Sequence, residues 1–231
     1  MNHNLLQAWS HTVGGSVPDG DLDLAACALL IAEVERPGLP TATYLAKLDA
    51  LAGAVRAGAR PGEPLLDAAV RHLFAELGFR GNTESYYDPR NSCLDQVLDR
   101  RLGIPITLSV VLLEVGWRLG LALGGIGFPG HFLVGGRSGD AERILDPFHG
   151  GAALDRAALE ERLRQSLGPK AVMAPAHLRV VRKREILARM LNNLHGIYRR
   201  AGDNARVAEV SKLLAVLAPT ARSAPPRGAP N

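Results

Sequence analysis

The segment GHFLVGGRSGDAERILDPF, residues 130–148, holds the residue types that an acid–base site needs. Apolar residues flank a Gly-rich turn on both sides, the pattern of an antiparallel hairpin. With the turn centred on Ser138-Gly139, paired residues have numbers that sum to 277, and His131 falls opposite Asp146. Directly opposed residues hold their Cβ atoms about 4.5–5.5 Å apart, so the imidazole and the carboxylate meet on one face. There Asp146 would fix the tautomer of His131 and raise its basicity. The same two residues would also satisfy each other with no chemistry at all, and from the pair alone that bland reading is favoured.

Acyl-transfer chemistry needs a nucleophile as well. Cys93 follows Ser92, which reads as a helix cap with Asp95 three residues on in capping-box style. At such a helix start the dipole and the free N–H groups lower a thiol pKa. The alternative is that Cys93 is a small apolar filler, as free cysteines usually are. Cys27 lies in an apolar helical pattern and reads as core. Thr107 and Ser109 offer hydroxyls, but a hydroxyl needs a stronger base and an oxyanion hole that no motif supplies. His149 follows the Asp-Pro turn and reads as a surface loop residue, while His72, His177 and His195 are isolated. None approaches another ligand residue at metal spacing, so neither a metal nor another cofactor is expected.

These residues must be positioned by the elements around them. Residues 21–36 read as a helix capped by Asp21 and stopped at Pro37-Gly38. A second helix carries Tyr44, Leu48, Leu51 and Val55, and a third carries Leu66, Val70, Leu73 and Leu77 before Gly78. After a polar loop from Phe79 to Ser92 comes a short helix, CLDQVLDRRLG, ended by Gly103. Pro105 suits the first turn of the next helix, Pro105 to Leu119. That helix is apolar nearly all round and is expected to be the central buried one. Short strands follow at Leu123–Phe128, His131–Val134 and Arg143–Leu145. Helices resume over Leu154–Leu167, His177–Arg200 and Arg206–Leu217. The fold class is therefore α+β: an N-terminal helical lobe, a central buried helix on a small antiparallel sheet, and a C-terminal helical hairpin. The boundaries are 1–168 for the main domain and 169–218 for the hairpin, with a disordered Pro-rich tail at 219–231.

Composition removes several classes. With 231 residues the chain can bury about 70% of its unfolded surface and needs no staples. Two cysteines exclude a disulfide scaffold and fit a reducing cytoplasm. The opening MNHNLLQAWSHTVGG lacks a basic start followed by an apolar block, so it does not read as a secretory signal. The most apolar stretch, Ile104 to Trp117, is broken by Thr107, Ser109 and Glu114, so no membrane span is expected. A net charge of +4 is too mild to imply nucleic acid by itself.

A wider resemblance joins these pieces. AACALLIAEVERPGL from residue 25, YYDPRNSCLDQVLDRRLGIPITLSVVLLEVGWRLG at 86–120, GIGFPGHFL at 125–133 and ILDPFHGG at 144–151 resemble the transglutaminase-like superfamily, in particular its bacterial SirB branch. The likeness covers roughly residues 20–215. It implies a papain-like core in which His131 and Asp146 are the second and third members of a catalytic triad. Counted back from Leu119-Gly120, the nucleophilic cysteine's place falls on Pro105, a replacement that the resemblance implies for the whole branch. Proline has no nucleophile. Asn91, Arg101, Pro105 and Thr107 are expected to line a ligand-binding cleft there.

The C-terminal part carries Arg179, Arg182, Lys183, Arg184, Arg189, Arg199 and Arg200, a set that could track phosphates. The arginines are spread around the helix, however, with Ile186, Met190, Leu194 and Ile197 between them. MLNNLHGIYRRAGDNARVAEVSKLLAVLAP resembles one tetratricopeptide unit, which implies a protein partner and makes nucleic acid unlikely. The preferred reading is a catalytically degenerate transglutaminase-like protein acting through protein contacts, with a regulatory role. An active hydrolase or acyl transferase using Cys93 or a hydroxyl with His131 and Asp146 is the second reading, so enzyme status stays open. A nucleic-acid-binding regulator is the third.

Overall fold

A computed structural model of the chain describes residues 3–15 and 17–217, and the tail expected at 219–231 lies outside the described residues. Four helices come first: α1 (His3–Val13), α2 (Leu24–Ala32), α3 (Thr41–Gly58) and α4 (Leu65–Val70), the last widening into a π turn over Arg71–Glu76. The periodic residues face inward as their spacing requires, with Tyr44, Leu48 and Val55 of α3 and Leu66 of α4 buried. Asp23, not Asp21, caps α2, its carboxylate accepting the Ala26 N–H at 2.9 Å. Asp19 has a longer reach. It accepts the backbone N–H groups of Lys183 and Arg184 at 3.0 and 2.9 Å and so caps a helix 164 residues away.

The polar loop contributes β1 (Arg80–Gly81), which pairs in parallel with β2 (Leu102–Gly103), a ladder too short to leave a sequence pattern. Between these strands lies α5 (Leu94–Arg100). Cys93, not Ser92, occupies its N-cap position, and Asp95 is paired with Arg36 at 2.6 Å instead of closing a capping box. The central helix α6 (Pro105–Arg118) starts on Pro105 and is buried on every side from Pro105 to Gly116. It packs against α3, α4 and α5 and against the sheet, so its all-round apolarity follows from having no solvent face.

That sheet is antiparallel, in the order β3 (Gly124–Ile126), β4 (Leu133–Ser138), β5 (Ala141–Asp146) and β6 (Ala152–Ala153). The hairpin register differs from the expected one: Ser138 pairs with Ala141 and Gly135 with Ile144, so paired numbers sum to 279. The turn is Gly139-Asp140, because Gly139, at φ +58°, takes the first central position, where a primed hairpin turn demands a left-handed residue. A slip of two keeps every side chain on its expected face, whereas a slip of one would invert them all.

Beyond the sheet come α7 (Arg156–Leu167), α8 (Lys183–Ala201) and α9 (Asn204–Leu217). The residues read as the first turns of α8 instead extend the sheet edge, with Val180 bridging Ile126 and the Val181 N–H donating to Gly125 O at 2.9 Å. Lys183 and Arg184, two members of the basic run, donate to main-chain carbonyls of the N-terminal loop, including Leu22 O and Val17 O, each at 2.6 Å. The N-terminal segment, read above only for a leader, is a helix whose Trp9 is fully buried and donates its indole N–H to Leu213 O at 2.9 Å. Met190, Leu194 and Leu213 share one core with Trp9, Leu48 and Leu112, while Phe128, Leu133 and Leu163 form a smaller cluster under α7. Among the described residues, no helix is long and apolar enough to cross a membrane.

Candidate site at a histidine–aspartate pair

Asp146 ends β5 and is wholly buried. Its Oδ1 lies 2.8 Å from His131 Nε2 and accepts the N–H groups of Phe148 and His149 at 3.1 and 3.3 Å. Its Oδ2 lies 2.8 Å from His149 Nδ1 and 2.9 Å from Arg162 Nη2. Burial alone would raise the carboxyl's pKa, but the His131 contact, the His149 hydrogen bond and the Arg162 charge outweigh it and hold the group below the usual aspartate range. An ionised carboxylate only accepts, so His131 Nε2 must carry its proton and donate. Nδ1 is left with the free lone pair, the atom through which His131 would act as a base.

His131 does not sit within β4 but in the turn before it, where Gly130, at φ +67°, swings the chain inward. A Cβ on Gly130 would meet Ser166 Oγ at 2.4 Å, so the turn closes against α7. The ring of Phe148 stands perpendicular to the His131 imidazole with centroids 5.9 Å apart and walls it on one side. On another side is a cavity of about 230 Å³, lined by Tyr86, Pro105, Ile106, His131, Arg189 and Asn193 among others. Among the described residues, no cysteine, serine or threonine lines it.

The structure therefore brings together His131, Asp146 and Pro105. Cys93 is 1% exposed and its Sγ lies 3.5 Å from Pro89 O. Burial, reinforced by the acidic neighbours Asp95, Glu35 and Asp88, pushes that thiol well above the ordinary cysteine range. Cys27 is buried in α2 and is pushed up to about 12, chiefly by burial. Asn91 and Thr107 are interior residues, not cavity lining. Asn91 donates to Ser85 O at 2.7 Å and accepts from Asn82 Nδ2 at 3.0 Å, holding the loop in shape. Thr107 Oγ1 donates to Asn91 O at 2.6 Å and accepts the Ile104 N–H at 3.2 Å, which caps α6. Ser109 is likewise buried and donates to Phe132 O at 3.4 Å. Arg101 lines a different depression, with Lys47, Phe79 and Leu98, and donates to Leu77 O at 2.8 Å.

Arg162, Tyr86 and Asn193 have no place among the expected site residues, while Arg189 was expected only as one of the basic set and His149 only as a surface loop residue. His149 sits three residues after Asp146, a local signal that was legible: its ring is half exposed, as expected of a surface loop residue, but the expectation that it approaches no other ligand residue is corrected, since it is bonded to Asp146. Arg162 and Arg189 arrive from α7 and α8, with no sequence signal linking them to the hairpin. His131, Asp146 and His149 have ligand atoms all within 4.8 Å of one another, a set that could hold a metal ion. Arg162 already occupies that neighbourhood: its guanidinium pairs with Asp146 and lies 3.5 Å from both ring nitrogens. A cation there would have to displace the protein's own.

A sequence model described as transglutaminase-like superfamily matches residues 42–192, from α3 through the first half of α8. A UPF0162 protein of Xylella fastidiosa is 41% identical over 221 residues, covering 93% of this chain and 78% of that protein. A UPF0162 protein of Vibrio cholerae is 40% identical over 54% of this chain and 46% of its own length. Human F-box only protein 21 is 34% identical over 146 residues, which is 60% of this chain and 22% of that protein. No solved structure matches the chain. The chain belongs to the transglutaminase-like superfamily and, within it, to the UPF0162 proteins.

Proposed function

We propose that this chain is a transglutaminase-like domain of the SirB type that has lost acyl-transfer chemistry and acts as a regulatory, protein-binding module. The observation that carries the reading is Pro105: it opens α6 in the same cavity as His131, at the one helix start where a nucleophile would be useful. The α8–α9 hairpin, patterned like a tetratricopeptide unit, supplies the second part of the reading, since such units present helical faces to partners. Two free cysteines agree with a cytoplasmic setting.

Hydrolysis of a small acyl ester, and acyl transfer from a glutamine amide to an amine, should run at the uncatalysed rate in the presence of the full chain. His131→Ala and Cys93→Ser should leave those rates unchanged. Turnover that disappears in either variant would establish an enzyme and overturn the proposal.

A further inference from the structure

Three depressions lie in a row along α8. The cavity beside His131 shares Tyr86 and Asn193 with a second one of about 170 Å³, and this shares Gly196 and Arg200 with a third of about 340 Å³. Arg189, Asn193, Gly196 and Arg200 recur at steps of four, three and four, so they form one helix face and the floor of one groove. From Arg189 to Arg200 the floor runs about 16 Å at 1.5 Å per residue. That is the span of roughly five residues of extended chain.

Among the described residues, no carboxylate lines any of the three depressions. Arg189 is partly buried, donates to His131 O at 2.6 Å and stacks 5.5 Å from the Phe132 ring centroid, with no acidic partner among the described residues. Burial pulls its pKa below the ordinary guanidinium value, against the smaller influence of Tyr86. A partly desolvated cation without a counter-ion is costly to keep, and a ligand carboxylate would relieve it. Arg200 lies 4.1 Å above the Tyr87 ring, also without an acidic partner. Asn192 and Asn193 line the second depression, and among the described residues their side-chain amides have no hydrogen-bond partner.

We propose that this groove binds an extended acidic peptide segment, about five residues long, whose carboxylates pair with Arg189 and Arg200. The inference deepens the binding role proposed above and rests on it. The chain's own segment 218–231 does not fit, because it carries Arg222 and Arg227 and no acidic side chain. Single-stranded nucleic acid fits less well than peptide. It needs open aromatic faces, whereas Arg200 covers Tyr87, and the Tyr86 ring is held edgewise between Tyr87 and Phe148 at 5.3 and 6.1 Å.

Fluorescence anisotropy can test this with the full chain and a labelled hexapeptide of alternating glutamate and alanine, which aligns its carboxylates on one face when extended. At about 0.15 M salt the peptide should bind at least about ten-fold more tightly than its glutamine–alanine counterpart. Arg200→Glu, an exposed change, should weaken binding at least about ten-fold, while the exposed Arg56→Glu on α3 leaves it within about two-fold. Asn193→Ala should weaken it several-fold. Equal binding of the two peptides, equal loss from Arg56→Glu and Arg200→Glu, or no binding of the acidic peptide would each overturn the proposal. So would free glutamate binding as tightly as the peptide, or an oligothymidylate outcompeting it. None of these readouts involves turnover, so failure here leaves the ester test standing, and turnover there leaves this preference standing.

Discussion

Two helix starts eleven residues apart divide between them what a thiol acyltransferase joins. At the start of α5 there is a thiol, Cys93, sealed in the core and pushed up in pKa by burial. At the start of α6 there is an open cavity and an oriented imidazole, but the helix begins on Pro105. The contrast shows which effect governs a thiol. A helix N-terminus supplies about 0.3–1 kcal/mol, less than one pKa unit, whereas full burial moves a pKa by up to about 3–5 units. Position on a helix therefore cannot activate Cys93 while it stays dry, and the better-placed site has no sulfur.

The strongest way to break this comparison is to dismantle the α6 side of it. Asp146→Ala leaves two imidazoles and Arg162 around a vanished anion, and breaking a buried pair in this way costs about 3–5 kcal/mol. For a chain of this length that is a fall in melting temperature of about 10 °C, readable by circular dichroism. A fall under about 2 °C would make Asp146 a bystander.

A second substitution sharpens the contrast by moving a thiol to the better start. Pro105→Cys should be alkylated by iodoacetamide at pH 7 about 10²-fold faster than either native cysteine, because His131 can then take its proton. Adding His131→Ala should remove most of that gain. A slow, histidine-independent reaction would mean that the cavity no longer retains acyltransferase geometry.

Acid should expose the same cluster more gently. The Asp146 carboxyl is held below its ordinary value, so the folded chain binds that proton less tightly than the unfolded chain. Its stabilisation is complete above the unfolded value near pH 3.9 and disappears as pH falls through the lower folded value. Urea titrations from pH 6 to pH 2 should show that decline in the wild type and a shallower one in Asp146→Asn.

The smallest effect is expected at α5. Cys93→Ser keeps the size and can donate to Pro89 O, so stability should change by about 1 kcal/mol or less. Native-state alkylation of the wild type should be slow for the same reason that Cys93 is inert. A large loss of stability would show that this sealed thiol matters.

Much of this site could be read before any coordinates. The slip of two kept the parity of the paired strand residues, but the contact of His131 with Asp146 does not come from the ladder: His131 lies in the turn before β4 and reaches the end of β5 from there. The start of α6 on Pro105 and its burial all round were likewise local matters of pattern, whereas the helix expected to run to Gly103 ends at Arg100 with Arg101 in the left-handed region, and the one expected to stop at Pro37-Gly38 ends at Ala32. What failed did so for want of long-range information. The helix start at Cys93 was visible but its depth was not, since burial depends on the packing of α5 against α2 and α6, and the charge of Glu35 that adds to the shift comes from another part of the fold.

The sequence by itself therefore determined the α+β class, a hairpin with His131 and Asp146 at its two ends, and the absence of a nucleophile at position 105. Those properties depend on period, turn chemistry and residue type, all readable over a few neighbours. Only the tertiary structure decided that Arg162 and His149 complete the ring around Asp146, that Arg189 borders the cavity without a counter-ion, and that Asp19 caps α8. Charge compensation and desolvation act through space, and side chains 31 residues apart, like Arg162 and His131, meet only when the whole chain has packed.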